Sequence, residues 1–197
     1  MRDAVVIGAG LAGLAASIRL AQRGAQVTLV TKGIGGLQLG QGTIDALGYA
    51  PELVERPLDA ITQLTVEHPT HPYARLGASS VAQSLEWIRE LLGPERLLGS
   101  ADTNVRIPTA LGALRPTALY QPSMQAGIPV GQNYVIVGFK RLKDFYPSLA
   151  SENMCLQKDA NGQAIVARSA YVDLDIRGQE RDTTGTNFAR ALDHKET

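Results

Sequence analysis

The chain has 197 residues, and its 19 Lys and Arg residues balance 19 Asp and Glu residues. The resulting formal net charge of +0 argues against bulk nucleic-acid binding. A hydrophobic fraction of 44% excludes an intrinsically disordered chain and suits one domain, or one domain with a fragment of another. The single cysteine excludes an internal disulfide and a cysteine-based metal site, which predicts a reducing, cytoplasmic location.

The N-terminal segment has the pattern of a strand, a helix and a second strand. Residues 4–7 are a short β-branched apolar run, residues 11–23 carry apolar side chains at helical spacing, and residues 27–30 repeat the strand pattern. Gly24 follows the helical segment and is typical of a helix C-terminus. The longest apolar stretch, residues 4–17, is too short to span a bilayer. These elements predict a βαβ unit, and therefore an α/β fold with parallel strands.

A glycine-rich loop and two helices are expected next. Residues 33–50 combine many glycines with polar side chains and show little periodicity, which is typical of a loop. A helix is predicted over residues 57–68, with Pro69 and Pro72 ending it. A second helix is predicted over residues 80–92, because its first residues form a capping-box pattern ahead of an apolar stripe.

The second half of the chain alternates β-like pieces with loops. Residues 95–130 contain short β-like runs broken by prolines and glycines, which predicts a β-rich insertion built of antiparallel hairpins. Strands are predicted at residues 134–139 and 165–174, separated by a loop and a short helix that Pro147 breaks. The C-terminal segment is predicted to form a linker-like stretch and then a helix, over residues 177–185 and 186–194.

A glycine-rich hexapeptide lies between the first strand and the first helix. In this G-x-G-x-x-G pattern Gly8 permits a tight turn, Gly10 lets the backbone approach a pyrophosphate, and Gly13 allows close packing of helix and strand. The helix N-terminus adds unpaired N–H groups and a partial positive charge. The alternative is that the glycines only shape a turn. We predict a Rossmann-like FAD/NAD(P)-binding fold whose cofactor residues are Gly8, Ala9, Gly10, Leu11, Ala12 and Gly13.

The end of the second strand departs from the dinucleotide-binding pattern. An acidic residue is expected there to accept a hydrogen bond from a ribose hydroxyl, but the sequence has Lys32. An ammonium group cannot accept a hydrogen bond, so Lys32 would hold a phosphate, cap the strand or remain solvated. We include Lys32 among the cofactor residues. Because it could bind a 2′-phosphate, an NADP-linked dehydrogenase stays open as an alternative.

The opening of the chain resembles that of flavoproteins related to fumarate reductase and succinate dehydrogenase, in the run VVIGAGLAGLAA at residues 5–16. Further segments are similar to the B-subunit family of anaerobic glycerol-3-phosphate dehydrogenases, and together they span most of the chain. These segments are TKG at 31–33, GTIDALG at 42–48, HPY at 71–73, PTALG at 108–112, VGF at 137–139 and DFYP at 144–147.

This resemblance implies a flavin-dependent oxidoreductase subunit. Its expected partners are a second flavoprotein subunit and an iron–sulfur, membrane-associated subunit, which would place a cytoplasmic protein at the periphery of the inner membrane. The expected reaction oxidises sn-glycerol 3-phosphate to dihydroxyacetone phosphate and passes electrons towards quinone. FAD is the expected cofactor because FMN lacks a pyrophosphate, although FMN is described for family members and remains the alternative. The family also lacks the acidic residue at the position of Lys32.

The length of family members bears on the domain organisation. They are considerably longer, so the resemblance implies that residues 1–197 form an FAD-binding oxidoreductase domain that is incomplete at its C-terminus. Residues 95–130 would be an insertion within it. A truncated, non-catalytic module for nucleotide binding or assembly is therefore the alternative from another functional class.

Several polar residues are candidates for roles beside the cofactor. Gly42 and Thr43 lie in the loop that can run beside a flavin in this fold, where backbone N–H groups would bond the ring. Asp45 is predicted to cap a helix near Ala46. The catalytic residues stay unassigned. Four cations that could meet a substrate phosphate, or else remain solvated, are Arg115, Lys140, Arg141 and Lys143.

The two neighbouring histidines do not predict a metal site. His68 and His71 each precede a proline, and a proline-broken backbone presents no helical pair of ligands. His71 has suitable chemistry to accept a proton from an alcohol. Packing or hydrogen bonding within the His-Pro-Tyr turn is the favoured interpretation. Cys155 lacks a visible activating base and is interpreted as inert.

Overall fold

The computed structural model of the chain describes residues 1–131, 133–174, 176 and 183–193. It contains two compact units, Met1–Thr43 and Ile44–Thr197. The first unit holds the predicted βαβ segment, and the second holds the remaining helices and strands. Within the described residues, no helix is both long enough and apolar enough to cross a membrane.

The first unit is a βαβ arrangement. Strand β1 (Ala4–Ile7) runs parallel to strand β2 (Val27–Val30), and helix α1 (Leu11–Gln22) connects them. Gly24, which follows the helix, has a φ of 87° that favours glycine. The predicted strand, helix and strand are confirmed, and their bounds differ only at the helix C-terminus.

The sheet of the first unit presents apolar side chains to solvent. Val5 and Ile7 are 61% and 84% exposed. Ala9 is the only buried residue among residues 1–43, all of which the structure describes. Two strands and one helix bury too little apolar surface to be stable by themselves. The packing of this unit is therefore concentrated at the turn that carries Ala9.

The second unit contains two consecutive helices near its start. Helix α2 (Pro57–Glu67) and helix α3 (Pro72–Leu92) both begin with a proline. Proline is favourable at this position because the N–H group that it lacks would have no partner within the helix. Helix α2 confirms the helix predicted over residues 57–68.

The start of α3 differs from the prediction. The helix predicted over residues 80–92 is confirmed within α3, but α3 has an additional helical segment that begins at Pro72 and precedes a kink at Gly77. His71 caps this helix, since its Nδ1 accepts a hydrogen bond from the backbone N of Tyr73 at 3.1 Å. Gly77 has a φ of 77° and interrupts the helical backbone. Pro72 therefore starts a helix, in addition to following the end of α2.

Two short antiparallel strand pairs follow the helices. Strand β3 (Leu98–Gly99) pairs with β6 (Leu119–Tyr120), and β4 (Val105–Pro108) pairs with β5 (Leu114–Thr117). All four strands lie within residues 95–130. The assignment of that segment as an insertion stays a prediction.

The main core of the second unit joins these helices to β6. Ile61 from α2 and Leu119 from β6 are 0% and 1% exposed. They pack with Val81 and Leu85 of α3 and with Ala118. The core therefore holds the helix pair against the short strands.

The segment that follows the glycine-rich loop is tied to the same strands. Ile44 N donates to Leu119 O at 2.8 Å, and Leu119 N donates to Ile44 O at 3.0 Å. The side-chain amide of Asn104 donates to the carbonyl oxygens of Leu47 and Val54, each at 2.9 Å. These bonds fix an otherwise irregular segment without a helix or a long strand.

A second parallel strand pair forms the later part of this unit. Strand β7 (Asn133–Phe139) runs parallel to β8 (Val166–Val172), and helix α4 (Pro147–Cys155) lies between them in the chain. Both strand predictions are confirmed. The prediction of a helix broken by Pro147 is wrong, because Pro147 is the first residue of α4. A second βαβ unit is thus present that the sequence analysis did not predict.

The terminal helix α5 (Gly185–Asp193) contacts the end of β7. The ring of Phe188 stacks on that of Phe139, with centroids 4.3 Å apart. The predicted terminal helix is confirmed for its described residues. Residue 194 and residues 177–182 of the predicted linker lie outside the described residues.

Asp159 is a buried carboxylate that links two loops of the second unit. It is 4% exposed and accepts hydrogen bonds from the backbone N–H groups of Gln163 and Asn161 at 2.8 Å and of Gly131 at 2.7 Å. The hydrogen bond from Gln163 is the main cause that lowers the pKa of Asp159 below its ordinary value. The bonds from Gly131 and Asn161 and the positive charge of Arg106 lower this pKa further. Asp159 therefore ties Gly131, two residues before β7, to the turn before β8.

We expect Asp159→Asn to destabilise the second unit in a pH-dependent manner. A carboxylate with a lowered pKa stabilises the fold above its unfolded pKa of about 4, and this contribution is lost as the pH falls through the folded pKa. The gap in melting temperature between wild type and variant should be widest near neutral pH and close in acid. Thermal melts recorded from neutral pH into acid measure it.

Asp144→Asn is the matched control, because Asp144 is exposed. This control should melt like the wild type at every pH. A melting-temperature gap for Asp159→Asn that is the same at all pH values would contradict the proposed contribution of the ionised carboxylate.

Candidate nucleotide-binding site

The glycine-rich turn at residues 8–13 connects β1 to α1. Gly8 N donates to the carbonyl oxygen of Val30 at 2.8 Å, so the turn starts where β1 ends beside β2. The φ of Gly8 is 105°, in a region that side chains disfavour. Gly8 therefore allows the chain to leave the sheet in a tight turn.

Two further glycines shape the turn in different ways. A Cβ atom on Gly13 would lie 1.9 Å from the carbonyl oxygen of Gly8, so only glycine lets α1 pack this closely against the turn. A Cβ atom on Gly10 would meet no atom within 4 Å. The missing side chain of Gly10 thus leaves the backbone open to a ligand.

Helix α1 begins without a side-chain cap. Gly10 is its N-cap residue, no side chain bonds the first N–H groups, and the first turn has no acidic residue. The hydrogen bonds of the helix begin with Leu14 N, which donates to Gly10 O at 2.9 Å. Unpaired N–H groups and the helix dipole attract an anion. The open backbone and the uncapped helix fit a pyrophosphate, which FAD and NADP contain and FMN lacks.

The other predicted cofactor residues lie in the first turn of α1 or follow β2 in the chain. Leu11 and Ala12 are exposed in the first turn of α1, and Lys32 is exposed just after β2. Gly42 has a φ of 80°, and Thr43 is half-buried. Their participation in cofactor binding stays a prediction.

The structure adds one residue that the sequence analysis did not single out. Gly35 lies against the backbone of the turn, because a Cβ atom on it would be 2.1 Å from the carbonyl oxygen of Ala9. Gly36 beside it has open space at the same position. No local sequence signal separates these two glycines, since the contact is made by residues distant in the chain.

Two of the charged candidates form ion pairs. Arg115 bonds the carboxylate of Asp45, and Lys140 Nζ lies 3.1 Å from Asp173 Oδ2. The interpretation of Asp45 as a helix cap is wrong, because no described helix starts near Ala46. A cation that already pairs with a carboxylate attracts a phosphate less strongly, so neither ion pair supports a phosphate site.

His71 and Cys155 make structural contacts. The His71 ring caps α3 and packs on Tyr73 with centroids 5.3 Å apart, which confirms the predicted role within the His-Pro-Tyr turn. The Cys155 Sγ lies 3.3 Å from the backbone N of Ala167 and 3.4 Å from its O, and so links α4 to β8. The described part of the chain brings together no group of His, Cys, Asp and Glu that could hold a metal ion.

Comparison with known proteins identifies similar chains. A family model described as FAD binding domain matches residues 3–196. The B subunit of the anaerobic glycerol-3-phosphate dehydrogenase of Pectobacterium carotovorum is 34% identical over 98% of this chain. The proteins of the same name from Actinobacillus succinogenes and Vibrio vulnificus are 32% and 34% identical over 98% and 97% of it.

The matched regions cover only part of each relative. They correspond to 48%, 47% and 44% of the three proteins, so the chain spans about half the length of the curated relatives it matches. No solved structure matches the chain.

Proposed function

The chain belongs to the FAD binding domain family, and on this premise we propose that it is a flavin-dependent dehydrogenase subunit that holds FAD at residues 8–13. The observation that carries the proposal is the structure of the turn. The space beside the Gly10 backbone is open, and no side chain caps the first N–H groups of α1. A pyrophosphate at this place would receive hydrogen bonds from the first N–H groups of α1. FMN has only one phosphate, so FAD is the flavin that suits this turn.

Each residue of the proposed site has a separate task. Gly8 turns the chain, Gly10 admits the pyrophosphate, and Gly13 brings α1 close to the turn. Lys32 would offer its ammonium group to an anionic or ribose part of the cofactor. When bound, the flavin supplies reversible two-electron redox chemistry. The loop at residues 42–43 would offer backbone N–H groups to its ring.

The relatives suggest the substrate and the setting. They are named as subunits of anaerobic glycerol-3-phosphate dehydrogenase, so we propose oxidation of sn-glycerol 3-phosphate to dihydroxyacetone phosphate with electrons passed towards quinone. This oxidation removes two electrons and two protons from a secondary alcohol. The proposed assembly includes a second flavoprotein subunit and an iron–sulfur, membrane-associated subunit. Its proposed location is cytoplasmic, at the periphery of the inner membrane, with residues 95–130 as an insertion in the FAD-binding domain.

The cofactor is tested by the visible spectrum of the purified chain supplied with FAD. After desalting we expect flavin absorption bands, and after denaturation we expect chromatography to recover FAD in stoichiometric amount. If the chain purified from cells, before any FAD is added, carried FMN and no FAD, the pyrophosphate assignment would be contradicted. A chain that stays colourless with FAD but binds NADP would favour the NADP-linked dehydrogenase suggested by Lys32.

The substrate is tested by anaerobic addition of sn-glycerol 3-phosphate to the chain together with its partner subunits. Bleaching of the flavin bands is expected, and glycerol, which lacks the phosphate, is the matched control compound. Retained FAD without bleaching would favour the non-catalytic binding or assembly module. Bleaching by glycerol to the same extent would contradict the proposed phosphorylated substrate.

A further inference from the structure

A short stretch of backbone after β2 packs against the glycine-rich turn. Gly35 has a φ of 75° and a ψ of 179°, a combination that is essentially restricted to glycine. A Cβ atom built on Gly35 would lie 2.1 Å from the O and 2.5 Å from the C of Ala9, and 2.9 Å from the N of Gly10. Real Cβ contacts are not this short, so the approach requires the absence of a side chain.

The residue contacted by Gly35 is the best-packed residue of the first unit. Ala9 is 8% exposed, whereas every other residue among the described residues 1–43 is at least partly accessible. The contact with Gly35 is therefore made at the only buried residue among the described residues 1–43. Gly10, next in the chain, has open space where a side chain would project. The turn is thus packed at Ala9 and open at Gly10.

We propose that Gly35 is a positioning residue of the FAD site, which holds the turn at Ala9 and Gly10 so that the backbone at Gly10 meets the pyrophosphate in the correct place. This inference rests on the proposed function, because the turn is held in place in order to bind the pyrophosphate of FAD. Gly35 itself is not assigned a contact with the cofactor. Its effect is transmitted through the backbone of the turn.

A side chain at position 35 has no easy way to be accommodated. The atoms that its Cβ would meet belong to the backbone of Ala9 and Gly10, which cannot rotate away as the end of a flexible side chain can. Either the segment after β2 or the turn must move. Because hydrogen bonds weaken steeply when distance and angle change, a moved turn would bind a pyrophosphate less well.

The test compares FAD binding by wild type, Gly35→Ala and Gly36→Ala. Gly36 is the matched control, since it lies in the same segment, has no positive φ and faces open space. We expect the Kd for FAD of Gly35→Ala to rise at least about tenfold, and that of Gly36→Ala to stay within about twofold of wild type. Titration of FAD fluorescence measures the Kd independently of any enzymatic activity.

Melting without FAD supplies the second readout. The second unit has its own core around Ile61 and Leu119, so Gly35→Ala should keep the main melting transition of the wild type. Loss of that transition would overturn the positioning role in favour of a general role in folding. Unchanged FAD affinity in Gly35→Ala would also overturn it.

The remaining outcomes separate this inference from the proposed function. An equal loss of affinity in Gly36→Ala would overturn the inference, because the effect would then come from the segment and not from the close approach of Gly35. A wild-type chain that binds no FAD would overturn the proposed function and this inference together. A wild-type chain that binds FAD, with an unaffected Gly35→Ala, would overturn this inference alone.

Discussion

Replacing Gly10 with valine is expected to weaken FAD binding at least about a hundredfold, or about 2.8 kcal/mol. The valine side chain would enter the open space at the turn, where the pyrophosphate is proposed to lie. Gly10 has a φ of −74° and a ψ of 176°, which valine also adopts, so the backbone itself does not oppose the substitution. The FAD retained after desalting and the Kd from titration measure the effect.

The matched control for this variant is Gly33→Val. Gly33 also faces open space and has no positive φ, but it lies after β2 and outside residues 8–13. Its FAD content should equal that of the wild type. If Gly10→Val retained as much FAD as this control, residues 8–13 could not be the pyrophosphate site.

Truncating Ile61 to alanine is expected to destabilise the second unit by about 3 kcal/mol. Ile61 is 0% exposed and packs in the core with Val81, Leu85 and Leu119, so the truncation leaves a cavity between α2, α3 and β6. A loss of this size is a large part of the roughly 5–15 kcal/mol that stabilises an ordinary domain. Urea denaturation followed by circular dichroism measures it.

Val66→Ala is the control on the same helix. Val66 is 80% exposed, so the change should alter the free energy of unfolding by no more than about 0.5 kcal/mol. Equal effects of the two substitutions would show that α2 does not pack through Ile61 as described. A clearly larger loss of unfolding free energy in Ile61→Ala than in Val66→Ala would support the described packing of Ile61 in the core of the second unit.

The first unit could be predicted well because its signals are local. The β-branched runs, the three glycines of the turn and Gly24 each act within a few residues of their own position. The predicted Rossmann-like, FAD-binding α/β class is confirmed by the family model over residues 3–196. The prediction succeeded where backbone conformation and side-chain pattern agree.

The errors arose where the chain had two local choices. The capping-box pattern at residues 80–83 predicts the part of α3 that follows the kink at Gly77, but it gives no sign of the additional helical segment that His71 and Pro72 start. Pro147 inside an apolar segment predicts a helix break, but a proline is also favourable as a first helical residue, and Pro147 starts α4. Sequence pattern alone does not decide between these uses of proline.

Other features depend on distant contacts and leave no local signal. The parallel pairing of β7 with β8 and the ion pair of Asp45 with Arg115 both join separate parts of the chain. Gly35 is the clearest case, because its neighbour in space is Ala9. A glycine in a loop is expected for many reasons, and only the structure distinguishes close approach from simple flexibility.

The bond between Arg115 and Asp45 joins residues 70 positions apart, so it cannot form on the ribosome before Arg115 has been synthesised. Helices α2 and α3 are translated before β6, so a nascent chain holds Ile61 and Leu85 before Leu119, which packs with them in the folded protein. Closing such a long loop also carries an entropic cost. We expect the growing chain to leave the apolar side chains of Ile61 and Leu85 incompletely buried until Leu119 has emerged from the ribosome.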